Sequence, residues 1–166
     1  MFYKDLDDLK VTTAAASQHA IVISTTHRLH AAPAQALLRD LAQGKATTSQ
    51  EVGYIHSSGI SILADQHISG KWVKPKRIFD NDKGDIYGYE QERDAVHPYP
   101  LRSVQMGVVD TGLELSVNIL VIMSPNVFGI GTRLFNRVSQ QIPAYIQPVL
   151  KHGRDVVVGD GSGVRN

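Results

Sequence analysis

Short apolar runs alternate with amphipathic segments along this chain. Runs rich in β-branched residues occupy 20–24, 52–56 and 119–123, and each has the length of a buried strand. Between them, apolar residues recur three and four positions apart, which predicts helices over 33–44 and 100–112, each closed by a glycine cap. This alternation predicts an α/β protein with a parallel sheet covered by helices on both faces.

Weaker patterns at both ends extend the alternation. A weakly helical segment over 5–19 precedes the first strand, a helix is predicted after residue 134, and a last short strand over 155–158. From 65 to about 98 the periodicity fails, which predicts a long loop that serves as a lid or substrate loop. The 166 residues suit a single domain.

The composition is that of a globular protein and excludes several function classes. Hydrophobic residues make up 42% and charged residues 20%, and the net charge of +1 lacks the basic surplus of nucleic-acid binders. There is no cysteine, hence no disulfide and no thiolate metal site. No apolar run approaches the roughly 20 residues that span a bilayer. We expect a cytoplasmic protein without nucleic-acid or membrane partners, for which a homodimer is possible.

Two histidines have the spacing of metal ligands on a helix. His27 and His30 lie three positions apart and could share a helical face. The sequence places no third ligand near them, and zinc sites need three or more. No metal site is predicted.

The most distinctive stretch runs from Ile119 to Gly131, ILVIMSPNVFGIG. It begins as a strand that we expect to be buried on both faces, and Pro125 ends that strand because proline cannot donate to a ladder. Two glycines and an amphipathic run follow. A strand that ends in such a loop is where an open α/β sheet binds its ligand, at the carboxyl edge.

Four segments in order carry a family resemblance. They are AIVIS-TTH, YIHSSGISIL, HPYPLRS and SPNVFGIG, the last followed about 30 residues later by GDGSGVR. Together they resemble the extended short-chain dehydrogenase/reductase family, also called NAD-dependent epimerases/dehydratases, and within it a group of fungal NAD(P)-binding proteins. The resemblance implies a Rossmann-like doubly wound sheet, NAD or NADP as cofactor, a small-molecule substrate and oxidoreductase-type chemistry.

The resemblance also assigns site residues. It implies that Tyr99 and Ser58 are catalytic. The residues that it places against the cofactor lie in two loops: Ser24, Thr25 and Thr26, and Ser124, Pro125, Asn126 and Val127.

One departure from the family concerns the glycine-rich turn. The family opens with a strand and a G-x-x-G-x-x-G turn that holds the pyrophosphate at a helix N-terminus, and this chain has no such motif. Its first strand corresponds to the family's fourth. We therefore expect a partial Rossmann-like sheet lacking the family's first strands, truncated at both ends, with the start of a substrate domain at about 132–166.

A second departure concerns the catalytic pair. The family's Tyr-x-x-x-Lys places both side chains on one helix face, where the lysine lowers the pKa of the tyrosine. Four positions after Tyr99 stands Ser103, and Arg102 is one residue off, about 100° around the helix. Tyr89 with Arg93 is a same-face alternative. The family also has a Ser/Thr that hydrogen-bonds the reacting oxygen of the substrate, and its position falls on Gly59 in this chain.

Three functions remain open from the sequence. Ser58, next to Gly59, is the candidate that could replace the family's Ser/Thr. With it and Tyr99, the chain would be a dinucleotide-dependent oxidoreductase, epimerase or dehydratase. The alternatives are a non-catalytic dinucleotide-binding or regulatory protein, and an inactive truncated product. The missing lysine and glycine-rich turn favour absent or impaired catalysis.

Overall fold

A computed structural model of the protein describes residues 8–25, 31–66, 70–74, 77–132, 134–135 and 137–154. The helices are α1 (Leu9–Ala16), α2 (Ala31–Thr48), α3 (Ile86–Val96), α4 (Pro100–Glu114) and α5 (Gln141–His152). The strands are β1 (Ile21–Ser24), β2 (Gly53–Gly59) and β3 (Asn118–Ser124), and a 3₁₀ turn at Ile60–Ile62 follows β2.

The chain divides into two compact units. The first comprises Met1–Ile62 and Phe79–Met123, and the second comprises Leu63–Ile78 and Ser124–Asn166. The first unit holds the sheet and its helices. In the second unit, α5 ends at Gly153, whose φ of 65° is the left-handed conformation of a helix cap.

The three strands lie side by side in the order in which they occur along the chain, β1-β2-β3. β1 and β2 are parallel, and their register pairs Ile21 with Gly53 and Ser24 with His56. The prediction of an α/β protein with a parallel sheet and flanking helices is therefore confirmed, but in the first unit both described crossover helices lie on one face of the sheet and not on both.

The core lies between the sheet and helices α1, α2 and α4. Strands that follow chain order with right-handed crossovers place every crossover helix on the same face, and α2 and α4 pack against each other. Alternate strand residues, including Tyr54 at full burial and Val22 and Ile119 at its margin, point into this layer. The buried core residues are Ala16, Ala34, Leu38, Leu41, Val52, Tyr54, Val108 and Val117.

The predicted glycine caps are wrong, because both glycines lie inside their helices. α2 continues four residues past Gly44, to Thr48, and α4 continues to Glu114 past Gly112. A Cβ at Gly44 would lie 2.6 Å from the backbone oxygen of Ser17, so glycine lets α1 approach α2. A Cβ at Gly112 would overlap the side chain of Ile119 on β3. Both glycines allow close packing.

Three other expectations are corrected. β3 is not buried on both faces: it is at the edge of the sheet, and its residues alternate between exposed and half-buried. The stretch predicted as a loop over 65–98 contains α3, which Asp85 caps by accepting a hydrogen bond from the Gly88 N–H at 2.7 Å. The helix predicted after residue 134 begins at Gln141. The predicted strand over 155–158 and the GDGSGVR segment lie outside the described residues.

Candidate functional site

Two buried arginines converge on one backbone carbonyl in the first unit. Arg93 of α3 donates from Nη1 to the Ile62 oxygen at 3.3 Å, and Arg102 of α4 donates to it from Nε at 3.3 Å and Nη2 at 3.0 Å. Ile62 ends the 3₁₀ turn after β2, where backbone acceptors lack helical partners. The two guanidinium groups thus fix the chain at the carboxyl end of the central strand.

Arg102 has further acceptors at the start of α4. Its Nη1 donates to Asp94 Oδ1 at 3.3 Å and to the His97 backbone oxygen at 3.2 Å. Asp94 in turn accepts from the Tyr99 N–H at 3.0 Å and from the Ser103 hydroxyl at 2.9 Å. The α3–α4 connection is therefore held by one carboxylate and one guanidinium, and all three nitrogens of Arg102 are engaged.

A buried acid lies near the two arginines. Glu90 of α3 accepts from Gln105 Nε2 with both carboxylate oxygens, each at 2.9 Å. Burial raises the pKa of Glu90 to about 7, and the Gln105 hydrogen bond and the charges of Arg102 and Arg93 oppose that rise. Because only 1% of Glu90 is exposed, this carboxyl group cannot reach a dissolved substrate.

The covered face of β2 carries a line of buried polar side chains. Tyr54, His56 and Ser58 alternate along the strand, all at least 97% buried. The rings of Tyr54 and His56 stack with their centroids 6.4 Å apart, and burial lowers the pKa of His56 by disfavouring the charged imidazolium. Among the described residues, neither nitrogen of His56 nor the Ser58 hydroxyl has a hydrogen-bond partner.

Tyr99 is in contact with Arg102, but through its ring. The residue is the N-cap of α4, with Pro100 after it, and the guanidinium carbon of Arg102 lies 5.6 Å from the ring centroid. Tyr99 and Ser103 are brought together through Asp94. Within the part of the chain that the structure describes, the Ser58 hydroxyl has no hydrogen-bond partner, and so none in Tyr99. The alternative pair has the same geometry, since the Arg93 guanidinium carbon lies 5.4 Å from the ring centroid of Tyr89.

The predicted cofactor loops differ in exposure. Ser24, at the end of β1, is buried against Tyr54, while Thr25 is exposed and Thr26 lies outside the described residues. In the second unit, Ser124 is half-buried at the end of β3. The three residues after it are exposed: Pro125, Asn126 and Val127. The roles of both loops stay predictions.

The sequence analysis missed the burial of Glu90 and Arg93, although it named Arg93 as the partner of Tyr89 in an alternative pair. Both residues fell in the stretch predicted as a loop over 65–98, and charged residues are almost never fully buried unless they are paired. Asp85 was an available sequence signal for the start of α3, because aspartate is a favoured N-cap residue; in the structure its side chain accepts from the Gly88 N–H. No local signal identified the hydrogen-bond partners of Glu90 and Arg93, which lie on α4 and in the turn after β2.

The described residues contain no group of three or more histidine, aspartate or glutamate side chains that could hold a metal ion. No helix among them is long and apolar enough to cross a membrane.

Comparison with known proteins identifies no relative. No family model matches the chain, and neither the curated proteins nor the solved structures include a match.

Proposed function

We propose that this chain carries one half of a dinucleotide-binding, Rossmann-like sheet of the extended short-chain dehydrogenase/reductase type, and that it binds the nicotinamide half of NAD or NADP without catalysis. The strand order is the observation that carries the proposal. On one side of the switch point of a doubly wound sheet, parallel strands follow chain order. The order β1-β2-β3 matches such a half, and the resemblance equates these strands with the family's fourth to sixth.

The proposed binding position is the carboxyl edge of the sheet. Ligands of open α/β sheets bind outside the carboxyl ends of the strands, beside the switch point. β1, at one edge of the sheet, is followed by exposed Thr25. Two observations support this binding proposal: the strand order and the resemblance of the four segments. The chemistry of the site adds a restriction on which part of the cofactor can bind.

That restriction is the missing pyrophosphate cradle. A dinucleotide phosphate needs backbone N–H groups at a glycine-rich turn before a helix, and no such motif occurs in this sequence. The residues present therefore fit only the nicotinamide half of the cofactor. Because only the nicotinamide half of the cofactor would be in contact with the protein, we expect a dissociation constant in the millimolar range.

The absence of catalysis rests on the surroundings of Tyr99. Serine at position 103 carries no charge and cannot perform the lysine's role in an acid–base pair. Arg102, the neighbouring cation, donates to Ile62, Asp94 and His97 instead. Ser58 is shielded from solvent, so the hydroxyl that would contact a substrate oxygen is enclosed.

Calorimetric titration tests the proposal. Millimolar NAD⁺ or NADP⁺ should give saturable heat, and no turnover of the cofactor should accompany it with added alcohols or sugar nucleotides. Thr25→Glu should weaken binding severalfold, because an exposed carboxylate just after β1 would repel the phosphate groups of a cofactor bound at this edge of the sheet by about 1 kcal/mol. Thr47→Glu, at an exposed position of α2, is the matched control. Absence of heat from both cofactors would contradict the proposal.

A further inference from the structure

A cavity of about 400 Å³ lies between α1 and α2. All of its lining residues belong to the first unit, so that unit alone defines it. Its volume lies within the range of about 300–1,000 Å³ that is usual for small-molecule sites. The polar side chains of the lining are those of Ser17, Asp40, Gln43, Thr47 and Thr48.

The three hydroxyl groups of the lining have already used their protons. Each donates to a backbone carbonyl oxygen three or four positions earlier in the chain, Ser17 at 3.3 Å, Thr47 at 2.9 Å and Thr48 at 2.8 Å. A hydroxyl group has one proton and two lone pairs, so each of these groups is left with acceptor capacity only. A ligand that donates hydrogen bonds therefore matches the cavity, and a ligand that accepts them does not.

Asp40 adds a negative charge to these acceptors. Its carboxylate receives a backbone hydrogen bond from Ser17, yet its Oδ2 is buried and has no hydrogen-bond partner among the described residues. Burial raises the pKa of Asp40, as expected for a carboxylate that lacks a counter-charge. The cation in the last turn of α2, Lys45, donates to Glu51 and to the Ser116 oxygen instead.

Two helix C-termini increase the negative potential of the cavity. α1 ends at Ala16, immediately before Ser17, and Thr47 and Thr48 end α2. The last carbonyl groups of a helix carry a partial negative charge. A single carboxylate balances a single positive charge, whereas divalent metal ions are held by several oxygen ligands that include more acidic groups. The lining therefore favours a monovalent organic cation.

We propose that this cavity binds a small organic molecule through a primary ammonium group. The proposal goes beyond the proposed function and does not depend on it. An ammonium group has three N–H donors and no acceptor, which complements the hydroxyl oxygens, and its charge compensates that of Asp40. The volume also leaves room for an alkyl chain, since one water-sized group takes only about 30 Å³.

Nuclear magnetic resonance titration with n-butylammonium tests the proposal, at constant ionic strength set with NaCl. We expect saturable shifts of the backbone amides around the cavity, with a dissociation constant on the order of 10 mM. Butan-1-ol, which has no charge, should give no saturable shift. Tetramethylammonium has the charge but no N–H donor, and should bind at least about tenfold more weakly than n-butylammonium.

Two variants test the residues. Asp40→Asn removes the charge but keeps an oxygen for the Ser17 N–H, and should weaken n-butylammonium binding by about tenfold or more. Gln43→Lys, at an exposed position, places its own ammonium group three positions after Asp40 on the same helix face and should abolish binding. Glu92→Gln removes an exposed carboxylate of α3 outside the cavity and should leave binding unchanged. The same spectra show that each variant is folded.

Three results would overturn the proposal. The first is the absence of any saturable shift with n-butylammonium up to about 100 mM, roughly ten times the expected dissociation constant. The second is unchanged binding by Asp40→Asn, which would mean that the carboxylate takes no part. The third is equal binding of tetramethylammonium and n-butylammonium, which would mean that positive charge alone is recognised.

Discussion

The guanidinium of Arg102 lies over the ring of Tyr99, with its carbon 5.6 Å from the ring centroid. The same group donates to Ile62, Asp94 and His97. Arg102 therefore joins the end of the central strand to the start of α4 and positions Tyr99 by its ring face. These contacts give Arg102 a structural role.

Replacement of Arg102 should be costly for stability. Arg102→Ala leaves the Ile62 oxygen and the Asp94 carboxylate without their donor, and we expect the free energy of unfolding to fall by about 3 kcal/mol. Arg102→Lys should lose less stability than Arg102→Ala, because an ammonium group still satisfies part of this set of acceptors. Urea unfolding measures both. Arg39→Ala, on the exposed side of α2, should stay within about 0.5 kcal/mol of the wild type. Equal losses at positions 39 and 102 would contradict the structural role.

The buried acid predicts a pH-dependent stability. The pKa of Glu90 is raised to about 7 in the folded chain, above its usual value near 4.3 in an unfolded one. Between these values the folded state binds more protons than the unfolded state, so this group's contribution to stability is lost as pH rises from about 4.3 to 7. The loss is at most about 4 kcal/mol.

Glu90→Gln should remove this dependence. The variant should gain stability relative to the wild type as pH rises through that window, and the gain should level off above pH 7. His56 has a lowered pKa and acts in the opposite direction, losing stability as pH falls below about 6.5. It is present in both proteins, so its contribution cancels in the difference. Glu92→Gln, at an exposed position of the same helix, should show no such trend. A stability difference between Glu90→Gln and wild type that is independent of pH would refute the assignment.

The two close-packing glycines could not be distinguished from caps in the sequence. Glycine serves both as a left-handed cap and as a site of close approach, and only the neighbouring chain decides which applies. For Gly44 that neighbour is Ser17, whose carbonyl belongs to the end of α1. The strand positions, by contrast, were predicted well, because β-branched apolar runs are a local signal.

The site was less predictable than the fold, because here too the deciding contacts come from residues far away along the chain. Glu90 and Arg93 carry no local mark of burial, and their partners Gln105 and Ile62 come from other elements. The exposure of alternate residues of β3 was also hidden, since apolar residues on both sides of a strand indicate burial on both faces. The strand order reveals that, in the first unit, both described crossover helices lie on one face of the sheet.

Gly44→Ala should destabilise the protein although alanine favours helices. The added methyl group would meet the Ser17 oxygen at 2.6 Å, and overpacking of this kind costs about 1–3 kcal/mol. Gly107→Ala, inside α4, is the matched control: its methyl group would meet only the flexible Gln35 side chain, at 3.3 Å. This variant should be neutral or gain up to about 1 kcal/mol from helix propensity. Thermal unfolding compares them. A stabilised Gly44→Ala protein would show that α1 does not approach α2 as described.

The proposed binding of only the nicotinamide half of a dinucleotide is tested most directly by calorimetry. The protein is titrated separately with nicotinamide mononucleotide, NAD⁺ and NADP⁺ under identical salt and pH. Because the adenosine half would make no contacts, the three dissociation constants should agree within about threefold, a difference under 1 kcal/mol. A dinucleotide that binds about a hundredfold more tightly than the mononucleotide, or no binding by any of the three, would contradict the account.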